Sequence, residues 1–434
     1  MSHRTLTSML IAAALLAGCL TYAAFATLDS TPAARARVVP STPAGWTTVF
    51  KDSFTGKAGT APTAANWFYD IGSGYGTGEI EQTTSSTRNV YQDGHGHLVL
   101  KAIRSGSTWT SARIESTRDD FMAPPGGQLE LTASIKQPSP ASGLGYWPAF
   151  WALGSPMRMS GGWPVSGEID MMEDVNGLNQ ASQGMHDAAG SSGHPLIACR
   201  TSPCESGYHT YSVIVNRTNA RAEYLTVLMD GRVTDKVTEA EVGATAWRYS
   251  IDHGFYIVFD LAMGGAYPDV ECRCAAPTAA TSSDAAMSVG YVAVYEKGGN
   301  STSTARAVAT GHITGIDGRC LANQNALNTE NNPIDMRNCG SSSGQRWSAY
   351  NDGTLRTEGG CLDGPGGTTA SGADIDWYPC NGTAAQIWTR MPNGELVNLK
   401  SRRCLTDPGG NTAAPLTIAN CTGSASQRWS SPSA

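Results

Sequence analysis

The sequence predicts an all-β protein: a large sandwich of two antiparallel sheets, followed by a smaller domain with a threefold repeat. Glycine supplies 49 of the 434 residues and charged residues only 15%, a composition that favours turns and short strands. Alternating apolar segments separated by Gly, Pro and Asn turns continue from about Trp46 to Glu296. Tryptophans then recur at 347, 388 and 429, both intervals being 41 residues, and a constant period indicates a repeat architecture.

The length exceeds that of one ordinary domain and predicts two or more hydrophobic cores. The expected boundaries are a signal peptide at 1–26, an N-terminal segment at 27–45, the sandwich at 46–296, a flexible linker at 297–310 and the repeated domain at 311–434. The net charge is -7 with no Lys/Arg-rich block, which argues against a nucleic-acid partner because such binding depends on neutralised phosphates. The chain is expected to be a monomer.

The N-terminus predicts export. An apolar run extends from Met9 to Ala26 and ends in Ala24-Phe25-Ala26, a small-x-small cleavage pattern. A secreted, extracellular protein is therefore expected, and no later segment is long and apolar enough to span a bilayer. The alternative is a lipoprotein, because Leu16-Ala17-Gly18-Cys19 resembles a bacterial lipobox in which Cys19 is acylated and anchors the protein to a membrane.

The cysteines indicate disulfides rather than a metal centre. Removing Cys19 from the 11 cysteines leaves ten, an even number in an exported chain. Cys199 and Cys204, like Cys272 and Cys274, lack the CxxC spacing of a zinc site. Their pairing stays open. In the repeated domain the cysteines fall in phase with the tryptophans, and each pair would close one repeat: Cys320 with Cys339, Cys361 with Cys380, and Cys404 with Cys421.

The repeated domain resembles the ricin B-type lectins, carbohydrate-binding module family 13, through Gln345-Arg346-Trp347, Gln386-Ile387-Trp388 and Gln427-Arg428-Trp429. The resemblance implies a β-trefoil in which these Gln-x-Trp residues pack the core. It also implies that each lobe binds sugar through an Asp after its first Cys and an aromatic residue before its second. The middle repeat has both, in Asp363 and Tyr378, with Trp377 and Asn381 beside them.

The other two repeats depart from that pattern. The first has Ala322 and Arg337 at the two positions, and the third has Thr406 and Ala419, with Asp407 displaced by one residue. Whether these two repeats bind sugar stays open.

The catalytic candidates lie in Gly167-Glu168-Ile169-Asp170-Met171-Met172-Glu173. On a strand, Glu168 and Asp170 share a face, whereas Glu173 would lie on the other face. A β-bulge at Met171 or Met172 would return Glu173 to the first face, and bulges concentrate beside active sites. The spacing therefore predicts a bulge.

Three carboxylates on one short stretch repel one another, which a purely structural strand would avoid. Glycoside hydrolysis uses two carboxyls, one ionised and one protonated, and mutual repulsion raises the pKa of one of them. A polar edge strand or a calcium loop is the alternative interpretation.

The segment resembles the signature E-x-D-x-x-E of glycoside hydrolase family 16 in its laminarinase-like form. Supporting segments are Tyr146–Trp151, Trp163–Ser166, Leu261–Gly265 and Tyr291–Tyr295. The resemblance implies a concanavalin A-like β-jelly roll with a long cleft and a polysaccharide substrate. It assigns Glu168 as the nucleophile, Glu173 as the acid/base and Asp170 as the residue that orients the nucleophile.

Aromatic and polar residues around the motif are candidate cleft residues. Trp147 and Trp163 are predicted to stack on sugar rings, and Trp151 is assigned to the core. Glu79, Arg113 and His186 lie where the family has cleft residues, with exposed surface positions as the alternative.

The chain also departs from the family. Gly290 replaces an Asp that supplies a calcium ligand in relatives, which argues against a structural calcium, and no other cofactor or metal is expected. Asp260 replaces the usual Asn before Leu-Ala-x-Gly-Gly. The expected activity is retaining endo-β-1,3-glucan hydrolysis assisted by the trefoil. The open alternatives are a β-1,3-galactan hydrolase, a transglycosylase, or a lectin with an inactive hydrolase domain, and endo or exo action stays undetermined.

Overall fold

The computed structural model describes residues 38–159, 161–272, 276–298, 305–409, 414–430 and 432. The predicted signal peptide and Cys19 lie outside these residues, as do Cys274 and part of the predicted linker. Among the described residues, no helix is long and apolar enough to cross a membrane.

The first module is built from β-strands. In chain order they are β1 (Trp46–Asp52), β2 (Trp67–Tyr69), β3 (Glu81–Thr83), β4 (Val90–Gln92), β5 (Leu98–Lys101), β6 (Ile103–Ser105), β7 (Thr108–Ser111), β8 (Arg113–Ser116), β9 (Gln128–Lys136), β10 (Tyr146–Gly154), β11 (Glu168–Glu173), β12 (Gln180–Asp187), β13 (Gly190–Ala198), β14 (His209–Asn216), β15 (Tyr224–Met229), β16 (Arg232–Thr238), β17 (Phe255–Met263) and β18 (Ala286–Lys297). Short helices interrupt them at α1 (Glu239–Val242), α2 (Ala244–Ile251) and α3 (Ala266–Cys272), with a 3-10 turn at Ser155–Arg158.

Two large sheets face each other. The first has the order β16-β15-β14-β9-β18-β5-β4, with β1 also paired to β18, and the second has the order β13-β12-β11-β10-β17-β8-β2. Side chains alternate along each strand, so every strand sends one set of residues between the sheets. On β10 the buried ring of Phe150 stacks against Phe259 of β17, with ring centroids 4.9 Å apart. The predicted β-jelly-roll sandwich is confirmed.

The predicted β-bulge is present in β11. Asp170 lies opposite Trp151 of β10, yet Met172 lies opposite Phe150, so Met171 has no partner of its own in β10. The ladder between β11 and β12 shifts over the same stretch. Both methionines are fully buried in the core between the sheets. The extra residue thus adds apolar contact while it returns Glu173 to the face that carries Glu168 and Asp170.

The second module is a β-trefoil of short strands. They are β19 (Ala307–Gly311), β20 (Cys320–Asn323), β21 (Asn332–Arg337), β22 (Trp347–Tyr350), β23 (Leu355–Thr357), β24 (Gly360–Asp363), β25 (Ala373–Asp374), β26 (Asp376–Tyr378), β27 (Trp388–Arg390), β28 (Leu396–Asn398), β29 (Cys404–Thr406) and β30 (Thr417–Ala419). One 3-10 turn precedes each Gln-x-Trp tryptophan, at Ser343–Gln345, Ala384–Gln386 and Ala425–Gln427, and others lie at Gln324–Ala326 and Pro365–Gly367.

The Gln-x-Trp residues pack the trefoil core, as predicted. Trp347, Trp388 and Trp429 are buried in one apolar cluster. Each indole N–H donates to a leucine carbonyl of its own repeat at 3.0 Å. Burying an indole without a partner for its N–H would cost free energy, and this hydrogen bond avoids that cost in each of the three repeats.

The disulfides follow the repeat. Cys320–Cys339, Cys361–Cys380 and Cys404–Cys421 are bonded, which confirms one bridge per repeat. In the first module, the pairing that the sequence left open is partly settled, because Cys199 is bonded to Cys204. Such local bridges restrict the unfolded chain within each loop.

Candidate active site

The three carboxylates of β11 share one face of the second sheet, called the carboxylate face below. Glu168, Asp170 and Glu173 lie opposite Leu153, Trp151 and Ala149 of β10. Cross-strand neighbours project to the same side of a sheet, so all three carboxyls point away from the core. This arrangement depends on the bulge.

Glu168 lies at the start of β11, between a tryptophan and a histidine. Trp163 Nε1 donates to Glu168 Oε2 at 3.1 Å. On the next strand, His186 Nε2 is 3.8 Å from Glu168 Oε1 and 3.4 Å from Asp170 Oδ2. Burial raises the pKa of Glu168 to about 8 and Asp170 adds to the rise, whereas His186, Arg113 and the Trp163 hydrogen bond oppose it. These three groups stabilise the carboxylate of Glu168 against the larger effect of burial.

Asp170 lies between the two glutamates and is buried. Burial, followed by repulsion from Asp260, raises its pKa to about 8. Its Oδ2 faces His186, which lies on β12 and also approaches Glu168. Asp170 is therefore placed to fix the orientation of the imidazole and, through charge, the proton affinity of both glutamates.

Glu173 binds its proton tightly. Burial comes first and the charge of Asp170 second in raising its pKa well above the usual value, opposed by the hydrogen bond from Trp147. That bond joins Trp147 Nε1 to Glu173 Oε1 at 2.9 Å. A carboxyl that stays protonated near neutral pH is suited to act as a general acid.

Trp163 and Trp147, the two residues predicted to stack on sugar rings, lie at opposite ends of the row of three carboxyls. Trp163 is 56% exposed, beside Glu168, and its ring centroid is 5.4 Å from that of His186. Trp147 is half-buried and tilts against Tyr267, with centroids 5.6 Å apart. Gly265 allows this close packing, because a Cβ there would lie 3.0 Å from the Trp147 ring. Both indoles remain open to apolar contact with a sugar ring.

Trp151 is a correction, because it does not belong to the core between the sheets. It lies opposite Asp170, on the carboxylate face, and packs against a small separate cluster that includes Leu153 and Tyr256. Its Nε1 donates to Asp260 Oδ1 at 2.9 Å. Alternation from Phe150, which does enter the core, requires this orientation.

Arg113, Asp260 and Asp70 form a charged group beside Trp151 on the carboxylate face. Arg113 lies opposite Asp260, its guanidinium is 4.8 Å from the Trp151 ring, and its Nε is 2.9 Å from Asp70 Oδ2. Burial raises the pKa of Asp260 to about 6, although Arg113 lowers it. Sequence reasoning identified Arg113 but missed Asp70 and the role of Asp260. The signal for Asp260 would have been its position opposite Ala149 on the neighbouring strand β10.

Glu79 lies at the far end of the carboxylate face from Glu168. It forms an isolated antiparallel β-bridge with Gly264, just after β17, and its backbone N lies near Gly265. Its carboxylate accepts a hydrogen bond from Thr77 Oγ1. The predicted secondary residues Glu79, Arg113 and His186 therefore all border the carboxylate face.

The middle trefoil repeat forms a separate open pocket. Its lining includes Asp363, Tyr378, Asn381 and Lys400. Asp363 lies opposite Asp376, a residue that sequence reasoning missed, and each is less than a tenth exposed. The Oδ1 atom of each accepts no hydrogen bond from the described residues. Buried carboxylate oxygens without a donor are suited to receive sugar hydroxyls.

Trp377 is a second correction, because it cannot stack on a sugar. It is 4% exposed, packs in the trefoil core and donates from Nε1 to the carbonyl of Thr357 at 2.7 Å. Tyr378, the next residue along β26, projects to the opposite side by alternation and lines the pocket.

In the first and third repeats, internal arginines bind the corresponding carboxylates. Arg337 donates from Nε to both carboxylate oxygens of Asp335, at 2.8 and 2.9 Å. Arg319 NH2 is 3.3 Å from Asp407 Oδ2, and Asp407 Oδ1 accepts from the Gly409 N–H at 2.8 Å. In the middle repeat, by contrast, Asp363 has a side-chain hydrogen bond with Gln386, and the Oδ1 atoms of Asp363 and Asp376 accept none from the described residues.

Replacing Asp170 with asparagine should shift the pH dependence of hydrolysis. The Asp170 charge raises the pKa of Glu173, so its removal makes that proton easier to lose. The alkaline limb of kcat/KM should therefore move to lower pH. Burial is the larger cause of the raised pKa of Glu173, so the limb should still lie above the pKa range of an exposed glutamate. A pH–rate profile of both proteins tests this. An alkaline limb that stays in place or moves upward would contradict it.

The comparisons with known proteins agree with both modules. Residues 309–429 match the ricin-type beta-trefoil lectin domain, and residues 111–223 match the XgeA-like, catalytic GH16 domain. The crystal structure of an endo-1,3-beta-glucanase from Streptomyces sioyaensis is 38% identical and superposes with a TM-score of 0.57, covering 60% of this chain and 99% of that one.

Two curated relatives are more distant. Glucan endo-1,3-beta-glucosidase A1 of Niallia circulans is 28% identical over 284 residues, covering 58% of this chain and 38% of the relative. Beta-glucanase of Rhodothermus marinus is 27% identical over 235 residues, covering 51% of this chain and 77% of that protein.

Fold and site together define a glycoside hydrolase joined to a carbohydrate-binding lectin module. The chain belongs to glycoside hydrolase family 16.

Proposed function

We propose that this protein is an exported, retaining endo-β-1,3-glucanase whose trefoil holds it on its polymer. The observation that carries the proposal is the placement of Glu168 and Glu173 on one face, where Arg113 and Trp163 stabilise the carboxylate of Glu168 while burial and the charge of Asp170 hold the proton on Glu173. Retaining hydrolysis requires one carboxylate as nucleophile and one carboxylic acid as proton donor. No cofactor is needed for this reaction.

The first step forms a covalent bond between Glu168 and the anomeric carbon. As the Glu168 carboxylate attacks, the glycosidic C–O bond breaks and the proton of Glu173 passes to the leaving oxygen. In the second step, the Glu173 carboxylate takes a proton from water, whose oxygen attacks the anomeric carbon and releases Glu168. Two inversions retain the β configuration, and Glu173 regains its proton.

Neighbouring residues support this division of roles. The N–H of Trp163 holds one oxygen of Glu168, which leaves the other free to attack. Trp147 holds Glu173 from the other end of the row. Asp170 and His186 lie between them, so the proton of Glu173 is retained partly through the charge of Asp170.

The substrate assignment is supported by the relatives. The Streptomyces structure and the Niallia protein are described as acting on 1,3-β-glucan. The exposed Trp163 and the half-buried Trp147 offer flat apolar surfaces on either side of the carboxyls, as a chain of sugar rings requires. Binding on both sides of the cleaved bond is characteristic of internal cleavage.

The substrate test is reducing-end release from a panel of soluble polymers. Laminarin should be cleaved much faster than de-branched arabinogalactan, with oligosaccharides of mixed length as early products. Proton NMR should show the β-anomer first. Faster cleavage of the galactan would replace the substrate assignment, first-formed α-anomer would contradict retention, and longer products would indicate transglycosylation.

A further inference from the structure

The trefoil contacts the jelly roll at two places: the segment that follows β14 of the first sheet, and the end of the second sheet formed by the ends of β8 and β10 and the starts of β11 and β17. At that end of the second sheet, Gly154 lies opposite Phe255 and Leu153 lies opposite Glu168. The residues that meet the trefoil there lie within a few positions of these strand ends. The lectin module therefore lies beside the end of β11 that carries Glu168.

A buried arginine fixes the first repeat to the jelly roll. Arg217 is 1% exposed, and its guanidinium lies 3.2 Å from Glu223 and 3.0 Å from Asp252. Its NH2 also donates to the carbonyl of Asn351 in the trefoil. A second hydrogen bond runs in the opposite direction: Arg306, just before β19, donates from NH2 to the carbonyl of Ala220 in the jelly roll at 2.7 Å. Separating the modules would leave buried polar groups without partners, so the docking is maintained.

The third repeat reaches the segment that precedes the nucleophile. Arg402 forms an ion pair with Asp119, three residues after β8. Asp119 also lies 3.8 Å from Arg158, whose NH2 donates to Glu115 at 2.8 Å. The next residue, Met159, packs against an apolar cluster of the trefoil that includes Met391 and Val397.

The same segment continues to the active site. It leaves β10 at Gly154, passes the trefoil at Arg158 and Met159, carries Trp163 and enters β11 at Glu168. Trp163 donates its N–H to the Glu168 carboxylate. Because the segment is held at its start by the trefoil, the position of Trp163 depends on a module with no residue in the catalytic trio.

We propose that the trefoil, through Arg402, positions the Trp163 segment and so supports catalysis. This role is separate from sugar binding by the middle repeat, and it rests on the proposed function of Glu168. Arg402 restrains Asp119 and Arg158, and these restrain the segment that bears Trp163. Arg402 is a positioning residue, since it touches neither substrate nor the catalytic carboxyls.

The test uses the full-length Arg402→Ala variant on a soluble β-1,3-glucan oligosaccharide too short to reach the lectin pocket. The kcat/KM should fall about 2- to 30-fold, the range usual for positions that couple two sites, with kcat affected more than KM because the orientation of Glu168 changes. Arg402→Lys should restore most of the activity, since a lysine can still pair with Asp119. Asp119→Asn should cause a similar loss that is not additive with Arg402→Ala.

Arg403→Ala is the matched control. Arg403 is the neighbouring residue, but among the described residues its side chain bonds within the trefoil, to the Thr369 carbonyl and to Asn420. It should leave oligosaccharide hydrolysis unchanged, and polysaccharide pull-down should be unchanged in both variants. Equal activity of the Arg402 and Arg403 variants would overturn the proposal. So would a loss accompanied by weaker pull-down and lower unfolding temperature, which would indicate general damage. Hydrolysis surviving in Glu168→Gln would instead overturn the proposed function.

Discussion

Replacing Glu168 with glutamine should reduce hydrolysis by at least about 10⁴-fold, the order seen when a catalytic nucleophile is removed. The amide is nearly isosteric, so its oxygen can still accept the hydrogen bond from Trp163. It carries no charge and cannot form the glycosyl-enzyme intermediate. Reducing-end release from laminarin at high enzyme concentration measures the loss.

Two controls separate loss of chemistry from loss of structure. Glu130→Gln changes a partly buried glutamate on β9, in the sheet opposite the carboxylate face, and should keep wild-type activity. The Glu168 variant should also bind insoluble polysaccharide as the wild type does, because the trefoil is unchanged. Turnover by Glu168→Gln near that of Glu130→Gln would exclude Glu168 as the nucleophile.

Truncating Tyr378 to alanine should weaken polysaccharide binding about tenfold or more, as expected for an aromatic residue at the centre of a binding site. Its ring lines the pocket above Asp363, whose free oxygen is suited to a sugar hydroxyl. Removing the ring exposes the apolar sugar face to water. Pull-down on insoluble glucan measures the effect. Hydrolysis of a short soluble oligosaccharide should not change, since that substrate does not use the trefoil pocket.

Arg337→Ala is the matched control in the first repeat. Arg337 occupies the position of Tyr378, but its guanidinium binds Asp335 within the same repeat. Because this internal ion pair already satisfies the carboxylate, little sugar binding should be lost. Equal losses of pull-down from Tyr378→Ala and Arg337→Ala would contradict the assignment of binding to the middle repeat.

The parts of the fold that follow from local periodicity could be predicted from the sequence. The position of the bulge followed because three carboxylates can share a face only if one extra residue separates Asp170 from Glu173. The threefold repeat followed from a constant period and in-phase cysteines, and its β-trefoil form from the resemblance to ricin B-type lectins. Each of these depends on residues close in sequence.

The errors came from residues whose surroundings are set by distant strands. Strand alternation was the basis for assigning Trp151 to the core, but it places Trp151 on the face opposite to that of the buried Phe150, and its indole N–H binds Asp260, which is 109 residues away. Trp377 was placed in the sugar pocket because it adjoins Tyr378, although adjacent residues on a strand face opposite sides.

Module docking could not be predicted either. The bond from Arg217 to Asn351 joins residues 134 positions apart, and no motif marks either of them. The sequence indicated only a flexible linker between the modules, which would permit many relative orientations.

The docking through Arg217 changes what the lectin can contribute to polymer recognition. A flexible tether raises local substrate concentration for polymers of any shape that its length allows, whereas a fixed arm does so only when one chain can reach both sites at once. A polymer whose helical pitch or curvature matches the fixed separation gains the full benefit of double attachment, and one that does not match gains none. We therefore expect this joint to make the protein selective for the conformation of a polysaccharide that binds both modules at once.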